Sequence, residues 1–191
     1  DKSGNLYAGS ISFSSGYPTT IGSYQTAFGG GSTDICISKF SADGSNLLYS
    51  TYIGGSDNEN PHSLIVNDND ELYLMGSSGS INFPTTNGSY DDTFNGGDSW
   101  GFINYGSGFY VTYPNGIDII VTKFSSSGNN LISSTFIGGT KNDGINESGS
   151  NTYDTSGLCN FYADEYRGEI NLDNQGNCYI ASTTNSIDFP T

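Results

Sequence analysis

The sequence predicts an all-β fold built from a repeated unit of four antiparallel strands, and three observations predict it. The first is composition. Of 191 residues, 27 are Gly, 14 Tyr and 11 Phe, whereas Ala, Leu, Lys and Arg are scarce, which favours strands joined by tight turns over helices. The second is a sequence pattern that returns along the chain. The third is a strand that is apolar on both of its faces, which calls for a sheet packed between two other sheets.

The repeat organises the chain. Asp1-Lys2-Ser3-Gly4-Asn5-Leu6-Tyr7 recurs as Asn67 to Tyr73 and as Asp173 to Tyr179. A proline follows each tyrosine by 11 residues, at Pro18, Pro84 and Pro190. Copies one and two stay in step at an offset of 66 through Gly30-Gly31 and Gly96-Gly97, after which the offset becomes 84. At that offset Asp34 to Phe40 matches Asp118 to Phe124, and Leu47 to Gly55 matches Leu131 to Gly139. The third copy lies 106 beyond the second, so the second carries 18 extra residues between Gly97 and Asp118 and 22 between Gly139 and Ile170.

Within the second copy four strands are expected: A over His62 to Asn67, B over Glu71 to Ser77, C over Ile117 to Phe124 and D over Leu131 to Ile137, separated by Gly, Asn, Asp and Ser. In strand C, Ile119 and Val121 face one way while Ile120 and Phe124 face the other. Sheets stacked face to face in this manner are the blades of a β-propeller. The expected organisation is a partial blade over 1–66 (strands B, C and D, with strand A of the next blade). A blade over 67–172 carries insertions at about 98–116 and 141–167 and ends on the next strand A, and 173–191 starts a third repeat. Ring closure removes sheet edges and needs more blades than these, so the expectation is a fragment of a larger propeller.

These motifs resemble the SBBP repeats, a family named for a presumed seven-bladed β-propeller. The resemblance rests on Asp-x-x-Gly-Asn-x-Tyr (Asp1 to Tyr7, Asp173 to Tyr179), Phe-Pro-Thr-Thr (Phe83 to Thr86), Asp-x-x-x-x-Lys-Phe (Asp34 to Phe40, Asp118 to Phe124) and Leu-x-x-Ser-Thr-x-Ile-Gly-Gly (Leu47 to Gly55, Leu131 to Gly139). It covers everything but the two insertions. The second copy departs from it at Asn67 and Asp70-Glu71, and Tyr17 stands where Phe is usual. The resemblance implies a bacterial secreted or cell-surface protein and brings no catalytic motif with it.

Charge narrows the partners. Twenty acidic residues against five basic ones give a formal net charge of -15, which repels nucleic acid and anionic lipid surfaces. No apolar run reaches the roughly 18 to 20 residues that span a bilayer, and the first residues lack a signal-peptide pattern. Cys36, Cys159 and Cys178 have no metal-ligand spacing. Cys36 and Cys178 fall in apolar strand patterns where a buried thiol is expected, and Cys159 falls in a loop.

Up-and-down strand order puts the B to C and D to A connections on one face, so both insertions project from the same face of one blade. Rigid strands presenting variable loops are a common way to build a binding surface. The first insertion holds Trp100, Phe102, Tyr105, Tyr110 and Tyr113, rings suited to stacking on a glycan or anchoring a protein partner, or else to packing as an extra hairpin. The second is polar and acidic. Asp57, Glu59, Asp143 and Glu147 are the candidate calcium ligands, none at EF-hand spacing. Asp1, Asn67 and Asp173 read instead as turn formers, and Lys39 and Lys123 as partners of nearby carboxylates. His62, the one histidine, has Gly168 as its counterpart and is expected near a strand end. No nucleophile motif is present. The expectation is a non-enzymatic extracellular scaffold or adhesion module without a required cofactor, binding a protein or glycan on the insertion face and packing against the rest of its parent chain. A secreted polysaccharide hydrolase and a calcium-stabilised surface filament are the alternatives.

Overall fold

A computed structural model describes residues 1–104, 109–145 and 168–191. Among them regular structure is entirely β, in antiparallel pairs. The strands are β1 (Leu6–Ser12), β2 (Asp34–Phe40), β3 (Leu47–Ile53), β4 (Glu59–Val66), β5 (Leu72–Ser78), β6 (Trp100–Asn104), β7 (Phe109–Tyr113), β8 (Asp118–Phe124), β9 (Leu131–Ile137), β10 (Gly168–Leu172) and β11 (Cys178–Ser182). They form a three-stranded sheet β1-β2-β3, a four-stranded sheet β4-β5-β8-β9, a pair β10-β11 and a hairpin β6-β7.

Strands C and D of the second repeat are β8 and β9, and strand B is β5. Strand A differs. It begins at Glu59 rather than His62, because Pro61 sits at a register shift between Pro61 and Ser63 on an edge strand and does not break the ladder. His62 consequently lies inside β4 at this bulge, with its Nε2 3.2 Å from Ser77 Oγ.

The three sheets pack face to face through two apolar layers. Leu72, Leu74, Ile120, Phe124 and Phe136 of the four-stranded sheet meet Ile35, Ile37, Tyr49 and Ile53 of the first sheet. On its other face Tyr73, Met75 and Ile119 meet Ile170 of the third sheet, with Val121, Leu172 and Ile180 alongside. Alternate residues of β5 and β8 therefore enter different layers, as the two-sided pattern of strand C requires. Each fully buried aliphatic or aromatic side chain contributes roughly 1.5–3 kcal/mol. Cys36 is buried in β2, whereas Cys178 is exposed at the start of β11, contrary to expectation, because that position lies outside the third sheet's buried layer. Cys159 lies outside the described residues.

The recurring Pro-Thr-Thr segment folds the B to C connection back onto strand D. The N–H of Thr20 donates to Ser50 O and that of Thr86 to Ser134 O, both at 3.0 Å. The aromatic residue before the proline and a second one later in the same connection flank a ring of strand D: Tyr17 and Phe28 sit edge-on to Tyr52, and Phe83 and Phe94 to Phe136, at 5.7 to 6.0 Å between centroids.

At the opposite end, Asp1, Asn67 and Asp173 each use Oδ1 to accept two backbone N–H groups, two and four residues on. That is the side-chain turn the repeat position implies. Lys39 Nζ lies 3.1 Å from Asp1 Oδ2, and Lys123 Nζ lies 2.7 Å from Glu71 Oε2. The acid has changed place between copies. Asp1 with Asn5 has become Asn67 with Glu71, yet the amide still donates to the acid and the acid still meets the lysine. Each lysine also lies over a tyrosine, Tyr7 or Tyr73, at about 5 Å.

Candidate functional site

The face bearing the B to C and D to A connections is built from three parts: a clasp between successive sheets, a buried carboxyl pair beneath each clasp, and the inserted hairpin. In the clasp the connection after strand D reaches the next B to C connection. Ser56 N donates to Asn82 Oδ1 at 2.9 Å and Asp57 N to Ser80 Oγ at 2.7 Å. In the next junction Thr140 N donates to Asp188 Oδ1 at 3.0 Å and Lys141 N to Ser186 Oγ at 2.9 Å. The glycine before each is obligatory for closeness: a Cβ on Gly55 would lie 2.5 Å from Ser80 Cβ, and one on Gly139 2.6 Å from Ser186 Cβ.

Under each clasp two carboxyls flank a glycine. Asp34 Oδ1 and Glu59 Oε2 both lie 2.6 Å from the point a Cβ on Gly54 would occupy, and Asp118 Oδ1 and Asp143 Oδ2 lie 2.6 and 3.1 Å from the same point on Gly138. All four residues are fully buried. Asp34 Oδ2 accepts the N–H of Gly29 at 2.5 Å, and Glu59 accepts Gly55 N–H at 3.0 Å and the Ser78 hydroxyl at 2.7 Å. Asp118 accepts the N–H groups of Asn95 and Gly96, while Asp143 Oδ2 accepts Gly139 N–H and the Ser186 hydroxyl. Asp34 Oδ1 and Asp143 Oδ1 have no hydrogen-bond partner. Burial pushes Asp34 up to about 6, Asp118 to about 7 and Glu59 to about 8, against the lowering effect of their donors.

The first insertion is a hairpin in which Trp100 pairs with Tyr113 and Phe102 with Val111. Trp100, Val111 and Tyr113 pack with Ile117 and with Ile145 from the start of the second insertion, so the roots of both insertions share one apolar cluster. Lys141 Nζ, 2.7 Å from Asp98 Oδ2, ties the same two roots together. The hairpin is pinned to β4 and the connection before it: Asn58 donates to Thr112 O and Asn60 to the Tyr113 hydroxyl. Tyr113 also fills the space over Gly79, 2.7 Å from where a Cβ would sit.

These positions sort the residues expected at the site. Trp100 is 7% and Tyr113 0% exposed, so both rings pack inward against the sheet rather than face a partner, because the hairpin needs an apolar root of its own. Phe102 and Tyr110 lie on β6 and β7; Tyr105 and Glu147 lie outside the described residues. Of the calcium candidates, Asp57 is half-buried and accepts Asn58 N–H at 2.9 Å, while Glu59 and Asp143 are spent on the clasp. Among the described residues no group of three or more His, Cys, Asp or Glu side chains is arranged to hold a metal ion. Lys141 to Asp143 do the work that Asp57 to Glu59 do one repeat earlier, so the repeat runs past residue 141, where the second insertion was expected to start. Asp34 and Asp118 were legible only as strand residues. The signal for their role is that Glu59 and Asp143 follow them at the same offset of 84, after Gly-Gly in both copies.

No helix among the described residues is long and apolar enough to cross a membrane. Compared with models of known protein families and with curated proteins, the chain matches none.

Proposed function

We propose that this chain is a run of β-propeller blades of the SBBP-repeat kind, acting as a non-enzymatic extracellular scaffold that binds a protein or glycan partner on its insertion-bearing face. The observation that carries the reading is the convergence of both insertions. The inserted hairpin and the start of the second insertion leave the same four-stranded sheet, at the same end, from one shared apolar root. Face-to-face stacking of the three sheets supports the blade assignment, and the net charge of -15 suits a surface that avoids nucleic acid. A rigid root under a long connection is how repeat scaffolds present contact loops.

The test is deletion of Ser99–Gly116. The shortened connection Gly97-Asp98-Ile117-Asp118 has the length of Gly31-Ser32-Thr33-Asp34 in the first repeat, so the four-stranded sheet is expected to persist by circular dichroism. Binding in a glycan array or a surface-protein pull-down is expected to drop at least tenfold. Full binding by a folded deletion variant would overturn the site assignment.

A further inference from the structure

We propose that each repeat binds one proton between its paired carboxyls, Asp34 with Glu59 and Asp118 with Asp143, making the clasp on this face a pH-sensitive switch, closed in mild acid and loosened above neutrality. The first support is geometric. Both pairs flank a glycine backbone at matching repeat positions, both are sealed from solvent, and each keeps one oxygen with no donor, on Asp34 and on Asp143. A buried acceptor without a donor is costly, more so when its carboxyl is charged, and a proton held on the pair offsets that cost.

The second support is that the lysines among the described residues are committed elsewhere. Lys2, Lys39, Lys123 and Lys141 are each engaged with a different carboxylate, Asp68, Asp1, Glu71 and Asp98. A calcium ion needs six to eight oxygen ligands, but the groups aimed at these carboxyls are N–H and O–H donors. Two carboxyls flanking one glycine in a low dielectric oppose each other's ionisation, Asp34 acting on Glu59 and Asp143 on Asp118, and the proton goes to the pair.

Other titratable groups near the pairs do not account for a change around neutrality. Beside the first pair stand Asp57, raised by burial, and the Cys36 thiol, pushed up to about 12 by burial. Beside the second stand Asp91, which acts on Asp118, and His62, whose ring is 3.6 Å from the Cβ position of Gly144 and is pushed down to about 4 by burial. The Lys141–Asp98 ion pair lies at the hairpin root.

The direction follows from linkage. In the folded chain Asp34, Asp118 and Glu59 keep their proton up to about 6, 7 and 8, whereas unfolded carboxyls release it near 4. Their contribution to stability is complete below about pH 4 and is lost as pH rises through the folded values. Carboxylates held below their usual range, such as Asp43 and Asp188, act in the opposite sense only in stronger acid.

The experiment is thermal unfolding of this chain between pH 5 and 8.5, with and without chelator. The melting temperature is expected to fall by roughly 5–10 °C over that range. Asp34→Asn with Asp143→Asn keeps the accepting oxygen and places an amide donor where the unpartnered oxygen stood. This variant is expected to show a shallower slope, since it removes the titration of Asp34 and the charges that help to raise Glu59 and Asp118. Each single variant is expected to give part of that change. Infrared spectra near pH 6.5 provide a readout that does not depend on melting: a protonated carboxyl band in the parent that is weaker in the double variant. A flat or rising melting temperature in the parent, an unchanged slope in the double variant, or stabilisation by calcium at pH 8 that the double variant lacks would each overturn the proposal.

Discussion

Exchanging the acid and the amide of the second-repeat turn tests whether the lysine at the end of strand C is held by a carboxylate or by its position. Glu71→Asn leaves Lys123 beside two amides, with no acid to meet. Burial works against the Lys123 charge, and the hydrogen bond from Lys123 to Glu71 is the main effect that offsets it, leaving the lysine raised and Glu71 lowered. Each side chain is about a fifth exposed and the Nζ to Oε2 distance is 2.7 Å. Fully exposed pairs contribute about 0.2–1 kcal/mol, and hydrogen bonds to charged groups about 1.5–3 kcal/mol. A loss of about 1–2 kcal/mol is expected, or roughly 3–6 °C in melting temperature for a chain of this size. Asn67→Asp alone is expected to be near neutral, since Lys123 then faces two acids. The double exchange rebuilds the arrangement of Asp1, Asn5 and Lys39, where the salt bridge is 3.1 Å long, and should return to within about 0.5 kcal/mol of the parent. The coupling energy from the four urea denaturation curves is therefore expected at about 1 kcal/mol or more. Strictly additive single and double variants would refute the reasoning, because the lysine would then be indifferent to where the carboxylate stands.

Other substitutions probe the turn and the clasp. Asp70 holds a positive φ of 59°, where Gly4 and Gly176 stand in the other copies at 79° and 83°; Asp70→Gly keeps the carbonyl that accepts the Tyr7 hydroxyl. It is expected to stabilise by about 0.5–1 kcal/mol in chemical denaturation, and a loss of stability would show that the Asp70 side chain outweighs the backbone strain. Gly55→Ala drives a methyl into Ser80 and Asn82 of the next sheet, with an expected cost of about 2–3 kcal/mol. A change below about 0.5 kcal/mol in the same denaturation assay would mean the clasp gives way without loss.

The sequence by itself determined the repeat, the antiparallel strand content, the turn residues and the pairing of each recurring lysine with an acid. These are local matters: strand alternation, side-chain turns and Gly-rich connections act over a few residues, and repetition prints each signal more than once. It also placed both insertions on one face, since strand direction alone decides on which side a connection lies. What the tertiary structure decided is whatever depends on distance across the stack. Trp100 and Tyr113 read either as contact rings or as the packing of an extra hairpin, and the hairpin root decides it by burying them against Ile117 and Ile145. Strand A read as starting at His62, but it starts at Glu59, because the bulge in β4 absorbs Pro61. Asp34 and Glu59 are 25 residues apart, and nothing local says that their carboxyls share one buried space. Burial and proximity set their protonation, and both are created only when one sheet closes over the next.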